Sequence, residues 1–95
     1  MSSVGYHESS TELSIKTRDM HRAISSLMEE LEAIDWYNQR VDACHDVALK
    51  AILEHNRDEE KEHAAMLLEW IRRQDTVLSQ HMKSFLFTEK AITES

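Results

Sequence analysis

Proline is absent from this 95-residue sequence, and glycine occurs once, as Gly5. Sandwiches and barrels use those residues at their many tight turns, so composition argues against an all-β fold. Collagen-like sequences and Pro/Gly-rich linkers are excluded on the same ground. Cysteine also occurs once, as Cys44. No internal disulfide can form, and such usage suits a reducing cytosol. The longest apolar run, Ala64 to Leu68, falls far short of the roughly 20 residues of a membrane helix. No basic region followed by an apolar block opens the chain, so no signal peptide is expected. Bases are in deficit, 11 against 18 acids, for a net charge of −7. Nucleic acid is therefore not expected as the main partner, whereas cations suit this balance.

What is present points to an all-α chain: few breakers, and many Glu, Leu, Ala and Met residues. The mass of 11.1 kDa fits one small domain. Residues 1–8 read as a flexible polar N-terminus, and 9–95 as a single domain. Ser9 and Glu12 have capping-box spacing, and nothing breaks a helix from Thr11 to about Val41. Leu27, Leu31 and Ile34, joined by Ala23, Ile24 and Val41, keep helical i, i+3, i+4 spacing. A short polar connection follows from Asp42 to Asp46, with Asp46 as N-cap of a second helix running to about Arg73. Its expected stripe is Leu49, Ile52, Leu53, Leu67, Trp70 and Ile71. Asp75 or Thr76 would cap a shorter third helix. The two long helices would span roughly 45 and 40 Å and lie antiparallel. A hairpin of two helices encloses little core, so association with other chains is expected.

Acids on these apolar faces are the informative residues. At about 100° per residue, Glu30 falls about 60° from Leu27, on the flank of its stripe, with Tyr37 beside it. Glu29 and Glu32 point roughly the opposite way. On the second helix Glu60 is central in its stripe, and His63 lies one turn on. A buried carboxylate or imidazole needs a charged partner or a metal. Glu60-Lys61-Glu62-His63 is a Glu-x-x-His sequence, whose outer residues share one helix face. Di-iron carboxylate bundles take a Glu from each of two helices and Glu-x-x-His from each of the other two. This chain carries one of each, half a site and half a bundle, which a two-fold dimer would complete. Without metal, the same three residues would form a polar network across a dimer. The oxygen-rich donor set favours iron, although manganese or zinc could occupy it. The lack of paired cysteines argues against structural zinc.

The stretch Met28-Glu29-Glu30-Leu31-Glu32-Ala33-Ile34-Asp35-Trp36-Tyr37, with Gln39 to Ala43 after it, resembles the encapsulated ferritin family. So do His55 to Met66, Leu68-Glu69-Trp70 and Phe85 to Glu89. The resemblance covers about residues 20–92. It implies two antiparallel helices plus a short third, pairing into a ferritin-like four-helix bundle and closing into a ring-shaped homodecamer. It also implies a ferroxidase that oxidises Fe(II) with oxygen at a di-iron centre. The iron would be stored within an encapsulin shell, so the expected location is the cytoplasm, inside that nanocompartment. Glu30, Glu60 and His63 match the family's ferroxidase ligands. Tyr37 matches a residue close to the metals, and Trp36 a neighbour of the site. Glu29 and Glu32 match acids proposed to collect iron at the inner entrance of the ring. His55, Glu59 and Glu62 match a peripheral metal site. Members also carry a C-terminal shell-docking peptide, which has no match before Ser95, so truncation is expected there.

Plainer readings stand beside these. Tyr37 and Trp36 are equally amphipathic interface aromatics. Glu29 and Glu32 are by default a solvated face, and Cys44 an inert turn residue. The alternative function is a non-catalytic helical metal-binding or adaptor protein whose acids set only oligomer register.

Overall fold

The computed structural model describes residues 5–94. It is an antiparallel hairpin of two long helices, α1 (Ile15–Ala43) and α2 (Val47–Gln74), followed by a short α3 (Thr76–Phe85). No strand occurs among the described residues. The part of the expected flexible N-terminus at residues 1–4 lies outside them. Tyr6 packs its ring against His21, with centroids 5.0 Å apart.

Local side-chain chemistry sets the helix ends. Asp46 accepts the Leu49 N–H at 2.8 Å, and Asp75 accepts that of Leu78 at 2.9 Å, so α2 and α3 start where the sequence places their caps. The start of α1 differs. Ser9 only precedes a 3-10 turn, Ser10–Glu12, and makes no side-chain cap bond. Ser14 is the cap instead, accepting the Thr17 N–H at 3.1 Å. Extended backbone at Leu13 separates the turn from the helix, so α1 begins four residues later than the expected Thr11. Each cap satisfies an amide that the first helical turn leaves unpaired. Asp46→Ala is expected to cost about 1 kcal/mol, measured by urea denaturation, with the helical spectrum unchanged.

The hairpin packs on one face of each helix. On α1 this face carries Ala23, Leu27, Glu30, Ile34, Tyr37 and Val41, and on α2 Leu53, Arg57, Glu60, Ala64, Leu67 and Ile71. All are buried or half-buried. Their alternating 3- and 4-residue spacing keeps two antiparallel helices in contact along their length. This corrects the expected stripes. Leu31 is 54% exposed and Ile52 57% exposed, and Ile24, Leu49 and Trp70 are also exposed. Ile24, Met28 and Leu31 form a second apolar row on α1. Leu49, Ile52, Met66 and Trp70 form another on α2, in register with His63. The large apolar side chains of these rows are left exposed.

The accessible surface is 7337 Å², whereas a compact monomer of this mass exposes about 5,700 Å². The radius of gyration is 16.9 Å, against about 12 Å for a compact chain of this length. Both excesses come from a hairpin that presents apolar rows outward. At the far end, Arg72 donates to both Glu69 carboxylate oxygens at 2.7 Å and to the buried Ser79 hydroxyl at 3.0 Å. This latch ties α3 to α2. Arg72, then Arg73, holds the Glu69 carboxyl down at about 2, so the latch stays charged at any physiological pH.

Candidate metal centre

Glu30 comes from the middle of α1, and Glu60 and His63 from the middle of α2. The hairpin register sets these two regions side by side. The Nδ1 atom of His63 lies 3.5 Å from Glu30 Oε2 and 3.8 Å from Glu60 Oε2. One donor atom from each residue falls within 4.8 Å of the other two. Among the described residues this is the one such group. Glu30, placed on the flank of its stripe by angular counting, lies on the packed face itself.

The two carboxylates are 23% and 24% exposed, while His63 is 43% exposed. The cluster is therefore closed between the helices and open beside His63. Glu30 Oε2 is buried and accepts no hydrogen bond, an arrangement costly for any carboxylate. The neighbouring Glu60 carboxyl pushes the Glu30 proton affinity above its ordinary value by favouring a shared proton. Burial and Glu60 charge add to this, and His63 offsets it only in part. An orphaned carboxylate oxygen beside a second carboxylate and an imidazole fits a cation, which would satisfy all three at once.

A family model described as EncFtn-like matches residues 5–89. The chain belongs to the EncFtn-like family. This EncFtn-like chain is 60% identical over 92 residues to an encapsulated ferritin-like protein of Rhodospirillum rubrum, covering 97% of this chain and 66% of that protein. It is 55% identical to a ferritin-like protein of Thermotoga maritima, covering 94% of this chain and 78% of that one. An encapsulin nanocompartment cargo protein of Myxococcus xanthus is 42% identical over 64 residues, 67% of this chain and 49% of the relative. The chain thus spans from about half to about three quarters of these relatives. A crystal structure of a Nitrosomonas europaea protein superposes with a TM-score of 0.91 at 67% identity, covering 96% of this chain and all of that one.

The other residues singled out in the sequence fall outside the cluster. Tyr37 is half-buried on the packed face, and its ring lies beneath the Arg40 guanidinium at 5.2 Å. Glu29 and Glu32 are half-buried and do not join the donor group. His55 pairs with Glu59 at 3.5 Å, while Glu62 is exposed and joins neither. Cys44 caps the end of α1, its thiol 3.6 Å from the Asp46 carbonyl. No helix among the described residues is long and apolar enough to cross a membrane.

Sequence reasoning passed over Arg57. It sits on the packed face of α2, three residues before Glu60, with its side chain only 19% exposed. Its Nη1 donates to Asn38 Oδ1 on α1 at 3.3 Å. The signal was available: Leu53, Arg57 and Glu60 share one helical stripe, and a base there is as unusual as an acid.

Proposed function

We propose that this chain has an iron-related role inside an encapsulin compartment, as a ferroxidase whose site is completed by a second copy. Glu30, Glu60 and His63 carry the reading: two carboxylates and an imidazole converge on one point, with a buried carboxylate oxygen left unpaired. The names of the Rhodospirillum and Myxococcus relatives support the iron and the shell. The openness beside His63, and the apolar row that runs through its register on α2, support a second hairpin docking there. A two-fold pair would bring four carboxylates and two imidazoles around two ions, within a four-helix bundle. A ring of such pairs, a decamer in this reading, encloses no storage cavity, so product iron goes to the shell.

Fe(II) is the substrate. Two ions held together each give up one electron to oxygen and leave as Fe(III). The chain's own residues do the rest. At Glu30 a cation competes with the proton that Glu60 and burial favour there, because either can partner the carboxylates. Glu60 and His63, one turn apart on a stiff helix, fix the distance between an oxygen and a nitrogen donor. His63 offers a ring nitrogen. Glu29 and Glu32 attract cations towards the site through charge, over the roughly 8 Å that salt allows. Tyr37 supports the packed face next to the cluster.

An anaerobic Fe(II) titration followed by admission of air tests the proposal, with native mass spectrometry before and after. Tight binding, rapid oxidation and a metal-dependent gain of dimers or higher rings are expected, since metal binds only the associated state. Binding without oxidation would make the chain a carrier, and no binding an adaptor. A metal-loaded monomer with full activity would rule out the shared site.

A further inference from the structure

Arg57 holds a full positive charge on the same stripe as Glu60, one helical turn towards the hairpin turn. Burying a guanidinium between two helices costs free energy unless its surroundings repay it. Its visible partners are weak: Asn38 Oδ1 at 3.3 Å and Asp58 Oδ1 at 3.3 Å. Asp58 is also shared with Lys61, again at 3.3 Å. Arg57 makes no ion pair with Glu60, so it closes no donor atom of the cluster although it lies one turn away on the same stripe. On the other side of the cluster the packed faces carry Leu27, Ala64 and Leu67, with no charge. The acids therefore face one fixed cation, placed on the hairpin side.

We propose that Arg57 is a positioning residue whose charge weakens the cluster's grip on cations. It rests on the metal-site reading above. In the metal-free protein the guanidinium shares the packed face with two crowded carboxylates. In the loaded protein it repels the ion, and a site that must release its oxidised product gains from that repulsion. Asn38 holds the guanidinium towards α1 at 3.3 Å.

Calorimetric titration of Co(II), which oxygen does not oxidise under these conditions, tests this on the full chain. Arg57→Gln is expected to bind Co(II) about fivefold more tightly than wild type, from the loss of one unit charge a helical turn from a ligand of a divalent ion. Its metal-free melting temperature should fall. Arg57→Lys keeps the charge and should return affinity to within about twofold of wild type. A merely structural Arg57 would move affinity the other way, because a disturbed site binds less. Arg57→Met fills the same stripe without charge and serves if the Gln variant does not fold. Wild-type binding with equal or weaker binding in both neutral variants overturns this inference alone. Failure of wild type to bind Co(II) overturns it together with the metal-site reading.

Discussion

Replacing both Glu60 and His63 by alanine is expected to abolish Fe(II) oxidation while leaving the far-ultraviolet spectrum helical. Alanine is the best helix former, so α2 loses no backbone preference. The His63 side chain is 43% exposed and that of Glu60 24%, so truncation opens no fully enclosed cavity. What disappears is two of the three donors that meet at one point. Losing only a supporting partner of a ligand typically costs roughly 10–100-fold. Losing the ligands themselves should exceed that, leaving the initial oxidation rate at the protein-free level. Either single variant should already fall by more than about tenfold. Wild-type rates in the double variant would show that the chemistry lies elsewhere.

Glu30→Gln separates stability from function. In the metal-free protein Glu30 holds its proton more tightly when folded than when unfolded, chiefly because of Glu60 and burial. The folded state therefore binds more protons above the ordinary carboxyl value of 4.5, and stability is lost as pH rises through the raised value. Glutamine keeps the shape and removes that loss. With chelator present, the variant should melt higher than wild type at pH 7, and the difference should shrink towards pH 4.5. Metal affinity should move the other way, falling by more than about 100-fold with a donor gone. A lower melting temperature at pH 7 would mean that Glu30 is satisfied in the metal-free fold, contrary to its unpaired oxygen.

Much of the architecture was legible because it is local. The absence of proline, the single glycine and the aspartates at 46 and 75 are enough to divide the chain into three helices. A cap needs only its own backbone two or three residues on. The exception is instructive. Ser9 and Glu12 carry capping-box spacing, yet Leu13 turns extended and Ser14 caps α1. Two capping serines within six residues compete, and spacing alone does not rank them. Glu60 and His63 were legible because they are i, i+3 on one helix, and Glu30 because an acid stands out beside leucines.

The choice of face was not local. Both α1 and α2 carry two apolar rows, about 100° apart, and the sequence by itself determined only that the rows exist. Which row meets the other helix depends on the register of the hairpin, and the tertiary structure decided it. Ala23, Val41, Ala64 and Ile71 are the buried residues of these faces, small or β-branched side chains that let the backbones approach. That choice turned Leu31 and Ile52 outward, brought Glu30 from the flank to the centre, and put Arg57 beside the acids. Sequence named the three donors. Packing brought them within reach of one ion, because the 33 positions from Glu30 to His63 become a few ångströms only when two helices lie antiparallel in one particular register.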